Sequence, residues 1–142
     1  MALLQLALDF IDLDEAIDAA EKAKDYVDWI EAGTPLIKSC GIMAVRALKE
    51  NSPGKKIVAD MKIMDTGALE VKLAADAGAD LITVMGAADL STIAEAIKKG
   101  KSMGKQVVVD TIGIEAEKIE EIERMEPDYI CPHVGIDQQR GG

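Results

Sequence analysis

The sequence predicts an α/β protein built on a parallel sheet, and three observations carry that prediction. Short apolar runs alternate with amphipathic stretches along the whole chain. The runs are nearly continuous in apolar character, as expected of strands covered on both faces. Turn residues fall where a helix should end and the next strand begin, at Gly54, Gly78, Gly104 and Pro127.

Six runs read as strands: LLQLALD (3–9), YVDWIE (26–31), KIVADMK (56–62), DLITVMG (80–86), KQVVVD (105–110) and DYICPH (128–133). Their starts lie about 22 to 30 residues apart, which leaves room for one helix in each gap. DEAIDAAEKA, GIMAVRALKE, GALEVKLAADA, LSTIAEAIKKG and EAEKIEEIERM fill those gaps, each with apolar residues at helical spacing. Repeated units of this kind give right-handed crossovers and one parallel sheet. An open doubly wound sheet and a (β/α)8 barrel both fit. No glycine-rich dinucleotide fingerprint follows the first strand and no P-loop is present, which counts against the nucleotide-binding version.

The 142 residues suit a single domain, 1–142, that buries about two-thirds of its unfolded surface. Apolar residues make up 49% and charged residues 30%, with a net charge of −10. That balance argues against a nucleic-acid partner and against an anionic membrane surface, both of which need clustered Lys and Arg. It leaves room for a small phosphorylated ligand held at one local site. Cys40 and Cys131 read as reduced thiols. The first residues lack a basic n-region, and no apolar run approaches the roughly 20 residues that span a bilayer. A soluble cytoplasmic protein is the expectation.

Ionisable residues gather at the strand ends. The first strand ends in Asp9, the second in Glu31, the third in Asp60 and Lys62, the fifth in Asp110, and the sixth in His133, the single histidine. In a parallel α/β fold these ends share one face, which carries the active site. An acid after a strand also often caps the next helix, although Asp12 and Asp14 stand nearer the first helix than Asp9.

Asp60 and Lys62, two apart on a strand, should share a face roughly 6.6 Å apart. Flanking acids keep such a lysine protonated. An ammonium between carboxylates can donate a proton or hold negative charge developing on an oxygen, and it can equally be a buried ion pair that only specifies the fold. Glu31 and Asp60 fall on adjacent strands, and two carboxylates without histidine or cysteine partners suit a hard cation such as Mg2+. Cys131-Pro132-His133 is a poor zinc site, and Cys131 is expected in the core.

ADMKIMDTG resembles the D-x-K-x-x-D signature of the orotidine 5′-monophosphate decarboxylase suprafamily of barrels. LQLALD, IEAGTPLIKSCG, AGADLITVMGAADLSTI, VDTIG and CPHVGIDQQ support the resemblance in order along the chain. It implies an incomplete (β/α)8 TIM-barrel type of fold with about six β/α units. It also implies a lyase: an aldolase that joins formaldehyde to D-ribulose 5-phosphate through an enediolate, giving 3-hexulose 6-phosphate. The alternative is the sibling branch, which decarboxylates 3-keto-L-gulonate 6-phosphate and tends to carry Arg where Ile136 stands.

By the same resemblance Glu31 and Asp60 bind Mg2+, and Lys62 stabilises the enediolate. His133 transfers protons, Asp110 falls on a further polar catalytic position, Asp9 joins Lys62 in binding substrate, and Asp65, also a catalytic position, reaches the site of a neighbouring subunit. A homodimer or higher homo-oligomer follows.

Such barrels run to about 250 residues and usually hold phosphate on the loops after strands seven and eight. Six strands are countable here, so the chain reads as truncated after strand six. Strands one and six should have free edges, to be covered by another copy or by a second polypeptide. An inactive barrel fragment or assembly scaffold is the remaining alternative.

Overall fold

The structure is a computed structural model and describes residues 1–141. Strands β1 (Gln5–Leu8), β2 (Trp29–Ala32), β3 (Lys56–Ile63), β4 (Leu81–Met85), β5 (Gln106–Asp110) and β6 (Tyr129–Cys131) form one parallel sheet in the order β1-β2-β3-β4-β5-β6. Between them lie helices α1 (Leu13–Ala23), α2 (Thr34–Cys40), α3 (Met43–Asn51), α4 (Gly67–Asp76), α5 (Leu90–Ser102) and α6 (Ala116–Glu123), with α7 (Ile136–Arg140) after β6. This is an incomplete β/α barrel, six strands curled inward with helices outside. None of the described helices is long and apolar enough to cross a membrane.

One face of the sheet packs on the helices. Ile30, Ile57, Ile82, Val84, Val107 and Val109 lie there, with Leu48, Val71, Ile93 and Ile122 from the helical layer, all fully buried. The residues between them along each strand, such as Glu31, Val58, Asp60 and Val108, face the concave side.

The curl shows in contacts that skip strands. Trp29 on β2 meets Tyr129 on β6 edge to face, with ring centroids 5.3 Å apart. Lys56 on β3 donates to Gln106 Oε1 on β5 at 3.1 Å and sits 5.8 Å over the Trp29 ring. These side chains plug the bottom of the concave face.

A repeating device holds the strand starts. Asp28, Asp80 and Asp128 each immediately precede an even-numbered strand. Their carboxylates accept the backbone N–H of Leu4, Ile57 and Val107 respectively, at 2.7, 2.8 and 2.8 Å. Each aspartate stands directly opposite its partner in the strand register. The sheet is therefore assembled from three two-strand modules, each tied by one aspartate.

The second strand opens at Trp29 and not at Tyr26, because Lys24–Tyr26 forms a 3-10 turn. Two further departures from expectation have local reasons. β6 stops at Cys131 because Pro132 has no N–H to continue the ladder. The stretch between β2 and β3 holds two helices, not one: Pro35 in the first turn starts α2, and Gly41, at φ 74°, ends it. Seven residues are too few for a periodic signal.

Candidate active site

The C-terminal ends of the strands open into a cleft of about 1270 Å3. Asp9, Glu31, Asp60, Lys62, Asp110 and His133 all line it, so the acids, the lysine and the histidine read from the strand ends share one rim. Asp65 does not join them. It is exposed on the turn after β3, and its Oδ1 accepts the N–H of Thr66 at 2.7 Å. Cys131, expected in the core, is exposed and lines the cleft, because the shortened β6 leaves its concave side open.

The constellation is a chain of charge-assisted contacts. Lys62 Nζ donates to Asp60 Oδ2 at 2.6 Å and lies 3.4 Å from Asp110 Oδ2. His133 Nδ1 lies 2.9 and 2.8 Å from the two Asp110 oxygens. Asp110, only 4% exposed, also accepts the N–H of Ile112 at 2.9 Å. Burial works against the Lys62 ammonium, but the hydrogen bond and charge of Asp60, and then Asp110, outweigh it and hold its pKa above the ordinary value. The lysine is therefore cationic.

Asp60 and Lys62 do not meet by simple alternation along a regular strand. The β3–β4 register pairs Ala59 with Ile82 and next pairs Ile63 with Val84. Asp60, Met61 and Lys62 thus stand opposite Thr83 alone, in a bulge where Lys62 takes a left-handed φ of 46°. Two hydroxyls hold the turn. Thr34 Oγ1 lies 2.7 Å from the Asp60 carbonyl and 2.9 Å from its Oδ2. Thr83 Oγ1 donates to Asp60 Oδ1 at 2.7 Å and accepts the Lys62 N–H at 3.0 Å. The sequence reading missed both threonines. The available signal was a hydroxyl set in the apolar run DLITVMG and another opening the helix after β2.

Glu31, on the strand paired with β3, accepts from Gln5 Nε2 at 2.8 Å. Burial, then the negative charges of Asp60 and Asp9, raise its pKa to about 7. Asp9 stands one residue beyond β1 and does not cap α1; Asp12 does, accepting the N–H of Glu15. The β2–α2 turn passes so close to Asp9 that a Cβ on Gly33 would lie 2.1 Å from Asp9 Oδ1 and 2.6 Å from the Leu8 carbonyl oxygen.

Among the described residues no group of three or more histidine, cysteine or acidic side chains converges as a ready-made metal site. The two-carboxylate set of Glu31 and Asp60 nevertheless fits a hard divalent cation that keeps waters and substrate oxygens as its other ligands. Burial first, and then the charges of Asp60 and Asp9, favour the protonated form of Glu31, and a cation held there would favour the carboxylate instead.

A parallel β/α sheet whose strand ends carry a lysine between carboxylates and a carboxylate-held histidine defines a barrel enzyme with its active site on the C-terminal rim. A family model described as "Orotidine 5'-phosphate decarboxylase / HUMPS family" matches residues 2–142, and the chain belongs to that family. It is 43% identical over 141 residues to the 3-hexulose-6-phosphate synthase of Bacillus subtilis, covering 98% of this chain and 67% of that protein. It superposes on the crystal structure of 3-hexulose-6-phosphate synthase from Salmonella typhimurium with a TM-score of 0.95 and 44% identity, covering 99% of this chain and 68% of the other. The 3-keto-L-gulonate-6-phosphate decarboxylase of Vibrio cholerae follows with a TM-score of 0.91 and 32% identity, covering 99% of this chain and 66% of the other. The chain thus spans about two-thirds of the length of these relatives.

Proposed function

We propose that this site performs the aldol addition of formaldehyde to D-ribulose 5-phosphate, giving 3-hexulose 6-phosphate. The observation that carries the proposal is the chain Asp60–Lys62–Asp110–His133, which sets a cation and a proton carrier side by side on one carboxylate.

The substrate is a ketone at C2 with a hydroxymethyl C1. Loss of a C1 proton gives a 1,2-enediolate, C1 attacks the formaldehyde carbon, and the formaldehyde oxygen takes a proton. One C–C bond forms and no group leaves. His133 is placed for the proton steps. With Nδ1 donating to Asp110, Nε2 is the nitrogen that exchanges a proton. The Lys62 ammonium offsets negative charge on the enediolate oxygens, and Asp9 accepts from substrate hydroxyls. Glu31 and Asp60 would hold Mg2+, which when bound supplies further positive charge to polarise the carbonyl.

Ile136, exposed at the cleft, favours the aldol reading over decarboxylation. An apolar side chain there offers no counter-charge to a substrate carboxylate.

The test is formaldehyde consumption with ribulose 5-phosphate and Mg2+, with and without chelator. Consumption that stops on chelation supports the proposal. Release of CO2 from 3-keto-L-gulonate 6-phosphate in its place would assign the sibling reaction. A folded sample inactive in both assays would make this chain a barrel scaffold.

A further inference from the structure

We propose that Thr83 is a positioning residue of this site: its hydroxyl locks Asp60 and Lys62 together across the β3 bulge and so fixes where the ammonium stands. The catalytic consequence rests on the aldolase reading above; the geometric one does not.

The bulge leaves the Lys62 N–H without a ladder partner, because pairing with β4 resumes only at Ile63. Thr83 Oγ1 takes that N–H at 3.0 Å and gives its own proton to Asp60 Oδ1 at 2.7 Å. The other oxygen of the same carboxylate accepts from Lys62 Nζ at 2.6 Å. A closed circuit thus leaves the backbone of Lys62, passes through one hydroxyl and one carboxylate, and returns at its own ammonium.

Thr83 is 6% exposed, which leaves little room for water to replace it. It sits on a central strand, paired through Val108 to β5, so the hydroxyl is anchored on a rigid element. A hydroxyl can donate once and accept at the same time. An isosteric methyl can do neither, and would leave a buried N–H and a buried carboxylate oxygen each short of a partner. Without the clamp, the left-handed φ of 46° at Lys62 has no fixed acceptor to maintain it.

The test compares Thr83→Val with Thr83→Ser by amide hydrogen exchange and by steady-state kinetics. In the valine variant the Lys62 amide should exchange at least about tenfold faster while the amides of Ile82 and Val84 keep their protection. Its kcat should fall about 10- to 100-fold with KM for ribulose 5-phosphate within about threefold. Serine should restore both readouts to within about threefold of the parent.

Unchanged Lys62 protection in the valine variant, or a serine variant as impaired as the valine one, would overturn the proposal. Should the valine variant not fold, the serine variant still carries the test, since it must keep Lys62 protected. If the parent chain consumes no formaldehyde, the aldolase reading fails, while the exchange data still decide whether Thr83 holds the bulge.

Discussion

Asp110 grips His133 with both carboxylate oxygens, 2.9 and 2.8 Å from one ring nitrogen, while its Oδ2 also faces the Lys62 ammonium at 3.4 Å. One buried carboxylate therefore fixes the tautomer of the histidine and helps balance the lysine. Asp110→Asn keeps the shape and removes the charge. Catalysis by a positioned acid–base group contributes roughly 10²- to 10⁴-fold, and the variant should lose kcat within that range. A kcat within about twofold of the parent would exclude His133–Asp110 as the proton carrier.

Glu31 makes stability depend on pH in an unusual direction for a carboxylate. Its pKa rises from 4.5 to about 7 on folding, first through burial and then through Asp60 and Asp9. The folded chain thus binds this proton more tightly than the unfolded one. The contribution to stability is fully present below about pH 4.5 and is lost as pH rises through about 7. Glu31→Gln should stabilise the metal-free protein at pH 8 by about 2 kcal/mol and change little at pH 4.5. Denaturant titrations at the two pH values check this, and equal effects at both would contradict it.

Gly33 has no room for a side chain. A methyl group there would fall 2.1 Å from Asp9 Oδ1, so Gly33→Ala must push Asp9 or the β2–α2 turn aside. The expected cost is about 1 to 3 kcal/mol, with a rise in KM for the sugar phosphate if Asp9 binds its hydroxyls. A variant with the parent's melting temperature and KM would show that the turn yields freely.

The outer edges of β1 and β6 are unpaired among the described residues, and Leu3 and Leu4 beside β1 are both 57% exposed. Open edges with apolar flanks invite association. Sedimentation at micromolar concentration should find a dimer or larger species; a single monomeric boundary would count against a homo-oligomer.

Much of the fold was readable because strand, helix and turn signals agreed with one another. All six strands and five of the helices lie where apolar runs and helical spacing put them. The strand-end rule then brought Asp9, Glu31, Asp60, Lys62, Asp110 and His133 to one cleft. What escaped was geometry that depends on a neighbouring strand. The bulge at Lys62 is visible only against β4, so the spacing argument reached the Asp60–Lys62 pair without its means of support. Thr34 and Thr83 escaped for the same reason, since each acts on a different element from its own. Asp65 matches the signature by sequence, yet the turn after β3 carries it away from the cleft, where it accepts the N–H of Thr66.

The contact between Trp29 and Tyr129 gives the chain a built-in optical gauge. Trp29 is the single tryptophan, and its ring rests on a tyrosine from the last strand, 5.3 Å away. Its emission therefore senses whether β6 has come up against β2, and excitation energy absorbed by Tyr129 passes to it most efficiently once it has. The arrival of β6 during refolding can be timed by that signal with no label attached.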